Sequence, residues 1–328
     1  MEPERYCEIF SLLEAEVKKV IVGHESIIRK ILVAFFAGGH VLLEGVPGLG
    51  KTLLVKSLSN AIGLSFKRVQ FTPDLMPSDI IGTQVLTEDN GQREFQFKKG
   101  PIFAQVVLAD EINRATPKTQ SAVLEAMEEQ QVTVFGETFP LDSPFMVLAT
   151  QNPVELEGTY PLPEAQLDRF FFKLLVSTPS PEELREILHR TTGTETQTVA
   201  HVLTENSGNA IAEMKLLIRQ VLMAPPLEDY VVRLVHATQP TGQKEDSAVS
   251  EVREYLRFGS SPRGAQALIL GAKGHALAQG RVHVSYEDIE AVIYPALRHR
   301  LILNFQADAD NVGSDQILAG VLKKIPRD

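Results

Sequence analysis

The chain has 328 residues, 44% hydrophobic and 23% charged, the balance of a folded globular protein with room for two domains. Its net charge of −10 argues against a general nucleic-acid surface, and the single cysteine, Cys7, excludes an intramolecular disulfide and points to a cytoplasmic setting. No run of about 18 apolar residues is there to span a membrane, and Met1-Glu2-Pro3-Glu4-Arg5 lacks the basic and apolar regions of a signal peptide.

Residues 4–38 read as two helices, with one apolar stripe on Ile9, Leu12, Leu13 and Val17 and another on Ile27, Ile28, Ile31, Leu32 and Phe35. Between them, Val22 and Gly23 form either the edge of a base-binding site or a simple helix cap. His40 to Glu44 reads as a short apolar strand, and Lys51 to Ile62 as a helix. The stretch joining them, Gly45-Val46-Pro47-Gly48-Leu49-Gly50-Lys51-Thr52, matches the phosphate-binding pattern G-x-x-x-x-G-K-[ST] at every specified position. Its glycines let successive N–H groups turn toward phosphate oxygens, and the helix that follows, beginning Lys51-Thr52-Leu53, aims its positive end at the same point. In this pattern Lys51 reaches the outer phosphates and the Thr52 hydroxyl ligates Mg²⁺.

Phe66 to Phe71 reads as a second strand, and Thr72 to Asp79 as a loop closing in a helical turn. Thr83–Leu86 and Arg93–Phe97 flank Asn90-Gly91, a strong hairpin signal. Gln105 to Glu111 is an apolar run ending abruptly in Asp110 and Glu111. That suits a strand buried on both faces whose terminal carboxylates meet a cation, with Asp110 in the metal shell and Glu111 polarising a water. Thr116-Pro117 opens a helix to about residue 129, and residues 131–141 form a second hairpin around Gly136. Phe145 to Thr150 is another buried strand, followed by Asn152, a polar amide where an open α/β sheet puts ligand contacts. Arg169 precedes three phenylalanines as a fixed cation, or pairs simply with Asp168.

From Ser180 strand signals largely stop. Helices are expected at 181–191, 209–222, 227–238, 247–257, 262–279, 286–303 and 314–324, with 191–208 as a polar linker and Pro295 kinking the sixth. Arg263 sits in the first turn of its helix, against the dipole, which suggests that it serves a ligand. Arg298-His299-Arg300 reads as either a solvated helix face or an intersubunit contact.

The ordered set resembles the AAA+ ATPases, whose fold is an α/β P-loop core with a parallel central sheet followed by an all-α lid. Here the core corresponds to 1–178 and the lid to 179–328. Two hairpins inserted before the Asp110 and Asn152 strands point to the branch that includes magnesium chelatases. Closer still, Asp110-Glu111-Ile112-Asn113-Arg114-Ala115, Ala149-Thr150-Gln151-Asn152-Pro153 and Leu162 to Phe170 are similar to the MoxR signature, with Gln70 to Leu75 and Ser261-Pro262-Arg263 in keeping. The resemblance implies ATP and Mg²⁺ as cofactors and ATP hydrolysis as the reaction. It implies Walker A at Gly45–Thr52, Walker B at Asp110 and Glu111, and sensor 1 at Asn152. Arg169 would be an arginine finger acting on a neighbour and Arg263 sensor 2, in its own subunit or the next; Arg114 would be a second candidate to reach across.

It further implies a homo-oligomeric ring, a hexamer, doing chaperone-like remodelling or metal loading on a separate partner protein, often one with a von Willebrand factor A domain. The hairpins at 83–97 and 131–141 are then the candidates for gripping that partner. Two other readings share the same engine: a nucleic-acid motor or regulator, and a nucleotide-gated scaffold with little hydrolysis.

Overall fold

In a computed structural model of the chain, residues 1–89, 92–153, 158–194, 197–203, 207–240 and 249–327 are described. The Asn90-Gly91 turn lies outside them. Two N-terminal helices, α1 (Pro3–Val20) and α2 (Glu25–Ala37), precede strand β1 (Val41–Glu44). Then come α3 (Lys51–Ile62), β2 (Phe66–Gln70), the short α4 (Pro77–Ile81), the ribbon of β3 (Gly82–Asp89) and β4 (Gln92–Lys99), β5 (Val106–Asp110) and α5 (Pro117–Glu129). A second ribbon, β6 (Gln131–Val134) with β7 (Glu137–Pro140), leads to β8 (Met146–Gln151), α6 (Glu164–Leu167) and β9 (Phe172–Leu175). The remainder is α7 (Pro181–Thr192), α8 (Ser207–Gln220), α9 (Pro225–Ala237), α10 (Ser250–Tyr255), α11 (Pro262–Ala278), α12 (Tyr286–Leu297), α13 (Phe305–Ala309) and α14 (Ser314–Lys324).

The central sheet is parallel, in the order β2-β5-β8-β1-β9. β5 is buried along its whole length, β1 and β8 on all but their last residues, as their continuous Val, Leu and Ala runs require. β2 lies at the edge and can therefore carry the charged Lys67 and Arg68, both partly exposed. Its register sets Gln70 opposite Asp110, while Glu44 of β1 faces Gln151 of β8. The carboxyl ends of four strands thus form one row.

Helices of the second half do not sit apart. One hydrophobic core runs from α1 and α2 through β9 into α11 and α12. Packing there is close enough to need glycine: a Cβ on Gly271 would lie 2.8 Å from the Phe172 ring, and one on Gly274 2.9 Å from Val33. Asp288, fully buried, ties α11 to α12. Burial alone would raise its pKa, yet bonds from His275, Arg281 and Ser285 hold it well below the usual carboxylate range.

Several expectations are corrected. The helix expected over 286–303 ends at Leu297, so Pro295 falls in its last turn. Ile302–Leu303 is instead a strand, β11, paired antiparallel with β10 (Leu256–Phe258), so the second half is not purely helical. His299 and Arg300 are buried, so neither lies on a solvated face or is free for an intersubunit contact. Arg300 donates to Asp168 Oδ1 and to the Asp168 and Phe170 carbonyls at 2.7–2.9 Å. Residues 197–203 are no free linker: Val202 N–H donates to Ala61 O at 2.8 Å and Leu203 is buried. Thr116 and Ser261 hold N-cap positions without capping; the Ser261 hydroxyl goes to Asp168 Oδ1 at 2.7 Å. Ser180, by contrast, forms its expected capping box with Glu183.

Two buried histidines are held neutral. His40 Nδ1 accepts from Val147 N–H at 3.0 Å while Nε2 donates to Met127 O at 3.1 Å, and burial lowers its pKa to about 4. His299 Nε2 donates to Phe170 O at 2.9 Å; burial, then the charge of Arg300, push its pKa well below 6.5. Below the unfolded value the unfolded chain takes up protons that the folded one refuses. Stability should therefore fall as pH drops from about 6.5 to about 4, His40 contributing about 1.4 kcal/mol per pH unit and His299 acting in the same direction. Urea unfolding across that range checks this, and His40→Gln should remove about 1.4 kcal/mol per pH unit from the slope.

Candidate nucleotide site

The loop Gly45–Thr52 leaves the carboxyl end of β1 and enters α3. Gly48 and Gly50 take φ of 85° and 74°, a conformation side chains resist, and nothing lies within 4 Å of where their Cβ atoms would be. The loop is seated by Gly45, whose N–H donates to Gln151 O at 3.2 Å and whose Cβ would strike Val176 O at 2.7 Å. Val46 and Leu49 are half-buried; Pro47 and Leu53 are exposed at its rim. Lys51 Nζ donates to Gly45 O at 2.5 Å. Burial lowers the Lys51 pKa, against the pull of Asp110, Glu111 and Glu44, so this cation sits in a half-dry, acidic surround.

Across the loop, Asp110 ends β5. Its Oδ2 accepts from Arg68 Nε at 2.8 Å and lies 3.4 Å from Thr52 Oγ1, and its Oδ1 accepts from Thr150 Oγ1 at 2.6 Å. That Thr150 hydroxyl also accepts from Glu111 N–H at 2.8 Å. Glu111 itself takes φ of 56°, an unusual conformation for a residue with a side chain. Its Oε2 accepts from Gln70 Nε2 at 2.7 Å and pairs with Arg114 Nε at 3.2 Å. Arg114 is thus on its own subunit's Glu111. Asn152 is buried one residue beyond β8.

These residues fit a magnesium nucleotide. The loop offers an open cradle of N–H groups at a helix N-terminus, and a buried carboxylate and a hydroxyl stand within one ion's width of each other. Val22 and Gly23 join α1 to α2, and Gly23 backs onto Glu183 in the first turn of α7. Ser177 and Glu183 line the same cleft as His24.

Arg169 and Arg263 are elsewhere. They line a cleft with Gly38, Gly39 and His40, at the amino end of β1. The four residues of β1, roughly 13 Å of strand, separate them from the loop. Arg169 Nη1 donates to Leu124 O at 2.7 Å and its Nη2 pairs with Glu128 Oε2 at 2.7 Å. Arg263 Nη2 pairs with Glu128 Oε1 at 2.5 Å, and Nη1 lies 3.7 Å from Asp168. The carboxylates answer the charge that its helix dipole disfavours.

Sequence reasoning missed Arg68, Gln70, Thr150 and Glu128. Alternation along Phe66-Lys67-Arg68-Val69-Gln70 offered a signal, since it sets Arg68 and Gln70 on one face, but only the register brings them to Asp110 and Glu111.

A parallel five-stranded sheet, a glycine loop opening a helix and two carboxylates ending the neighbouring strand define a P-loop ATPase of the AAA class. Family models agree: residues 40–172 match "ATPase family associated with various cellular activities (AAA)" and residues 249–321 match an AAA lid domain. The chain is 44% identical to Chaperone MoxR1 of Mycobacterium tuberculosis over 310 residues, covering 94% of this chain and 80% of that one. It is 33% identical to Protein MoxR of Methylorubrum extorquens, over 88% of this chain and 86% of the relative. A crystal structure of a Cytophaga hutchinsonii protein assigned as an ATPase superposes with a TM-score of 0.89 at 41% identity, covering 99% and 96% of the two chains. The chain belongs to the MoxR family of AAA+ ATPases. Among the described residues no helix is long and apolar enough to cross a membrane.

One hydroxyl thus serves both Asp110 and Glu111. Thr150→Val keeps the shape but strands Asp110 Oδ1 and Glu111 N–H, and should cost about 1–3 kcal/mol of stability. ATP turnover should fall as well, whereas Thr150→Ser restores both; urea unfolding and steady-state ATPase assays check it.

Proposed function

We propose that this chain hydrolyses ATP with Mg²⁺ in the cytoplasm, at sites shared between neighbouring subunits of a hexameric ring, and spends that hydrolysis on chaperone-like work on a partner protein. The observation that carries it is the split described above: the loop and Walker B carboxylates lie at one end of β1, Arg169 and Arg263 at the other. A subunit holding both halves that far apart completes a site only with a neighbour's help.

Bound Mg²⁺-ATP would supply the phosphoryl group to be transferred and a divalent charge that offsets the negative charge of the phosphates. The loop N–H groups and Lys51 bind the phosphates, with Thr52 and Asp110 holding the metal. Glu111 accepts a proton from the attacking water, freed for this by exchanging its bonds to Gln70 and Arg114. Asn152 orients that water. Val22, Gly23 and Leu53 bound the base and sugar. The neighbour's Arg169 and Arg263 meet the charge that develops on the transferred group.

The name of the mycobacterial relative supports the chaperone reading, and the family resemblance suggests a client with a von Willebrand factor A domain or a metal-cofactor protein. The β3–β4 ribbon exposes Leu86 and Phe95, and the β6–β7 ribbon exposes Phe135 at its turn. Phe97 stacks on Phe139 at 4.6 Å where the two ribbons meet, so they can grip as one unit.

ATPase rate per subunit should climb with protein concentration. Arg169→Ala should lower the rate of the assembled protein by about 10³–10⁵ while ATP binding persists. A flat rate per subunit with normal turnover in Arg169→Ala would sink the shared site, and DNA-stimulated, salt-sensitive turnover would favour a nucleic-acid motor.

A further inference from the structure

Glu128 has no place in the mechanism above, yet it is where both distant arginines end. It is the second-to-last residue of α5, about one-third exposed. Each carboxylate oxygen takes one guanidinium, Oε2 that of Arg169 and Oε1 that of Arg263. Arg169 is steadied a second time by the Leu124 carbonyl, one turn earlier on the same helix. Arg263 arrives from the other half of the chain, and its remaining anion, Asp168, stands off at 3.7 Å. Asp168 is already engaged, because its Oδ1 accepts from Arg300 and Ser261. Two guanidiniums this close repel, and a carboxylate shared between them removes that cost while fixing both planes.

We infer that Glu128 is a positioning residue for the neighbour's reaction: it holds Arg169 and Arg263 side by side, so that the adjoining subunit meets them as one two-cation clamp. This rests on the shared-site reading. Glu128 does not touch the reacting atoms; it sets where the arginines stand. The same carboxylate closes the helix that begins just after the Walker B residues and leads into the β6–β7 ribbon. The clamp offered to a neighbour is thereby tied to the element that follows the subunit's own catalytic strand.

The test is subunit mixing. Glu128→Gln protein has an intact nucleotide site and a loosened clamp; Glu111→Gln protein has the reverse. Alone, Glu128→Gln should lose about 10²-fold in kcat, the effect of a misplacement of about 1 Å, with KM for ATP unchanged. Glu128→Asp should recover part of the rate. Mixed with Glu111→Gln, it should hydrolyse ATP well above either parent, because Glu111→Gln neighbours lend it a sound clamp. The control mixture is Arg169→Ala with Glu111→Gln.

If the control gains activity and the Glu128 mixture does not, Glu128 is no positioning residue although the shared site stands. If neither mixture gains, the shared site falls and takes this inference with it. Wild-type turnover in Glu128→Gln overturns the role outright. So does a variant that melts like wild type but no longer assembles, as judged by sedimentation, since its effect is then on the contact alone.

Discussion

A carboxylate at the end of a strand buried on both faces must be met by donors, and much of this site follows from how Asp110 is met. β5 carries Val106-Val107-Leu108-Ala109 through the middle of the sheet with no polar atom to spare, then delivers an anion. Arg68 comes from the edge strand, Thr150 from β8, and Thr52 from the helix after the loop. Three elements with unrelated sequence positions are therefore fixed against one another by a single charge. Arg68 sets two of its nitrogens on the one oxygen Oδ2, which leaves Oδ1 to the Thr150 hydroxyl. Glu111, next along, is pinned by Gln70 and by the hydroxyl that already serves Asp110. The position of Glu111 is thus inherited from the solution found for its buried neighbour.

The second half of the chain is bound to the first by packing as well as by charge. α11 lies so close to α2 and β9 that Gly271 and Gly274 stand where larger residues would collide. Arg300, buried among carbonyls of residues 168, 170 and 171, holds the end of α12 on the segment that carries Arg169. Burying a guanidinium is tolerable only with such full satisfaction, by Asp168 and backbone oxygens together. The consequence is positional. Arg169 comes from the α/β half and Arg263 from the helical half, yet they share a carboxylate because the two halves cannot easily slide.

Elements and motifs held locally were legible in the sequence. The helix Lys51–Ile62 is read to the residue, because a glycine loop starts it and an apolar stripe carries it. Asp110 and Glu111 announce themselves as charges ending an apolar run. What the sequence could not give was register and approach. Nothing in Phe66 to Gln70 says that Arg68 faces Asp110 rather than solvent, and nothing in Pro117 to Glu129 marks Glu128 apart from Glu125 or Glu129. The helix expected to continue to residue 303 fails for a similar reason. Arg298-His299-Arg300 looks like a solvated face until a distant Asp168 and the carbonyls of β9's approach draw His299 and Arg300 inward. Local propensity carried the pattern onward; a tertiary partner stopped it.

A parallel strand has two ends, and this fold uses both ends of β1. At the carboxyl end, successive strands leave their N–H and carboxylate groups in the crevice where open sheets bind ligands. At the amino end, the residues entering β1 and β9 meet the close of α5 and the start of α11, and two arginines collect there. The glycine loop and the arginine pair stand on opposite rims of one sheet, too far apart to act on one bound anion within the chain. On the shared-site reading proposed above, a second copy would set its loop rim against the first copy's arginine rim, so that one anion bound in the loop meets both, and each copy would repeat the relation to the next. Because the two surfaces differ, such a contact would be head-to-tail, and head-to-tail contacts close into rings when the rotation allows. The five-stranded sheet between the rims would then set the distance and angle from one face to the other.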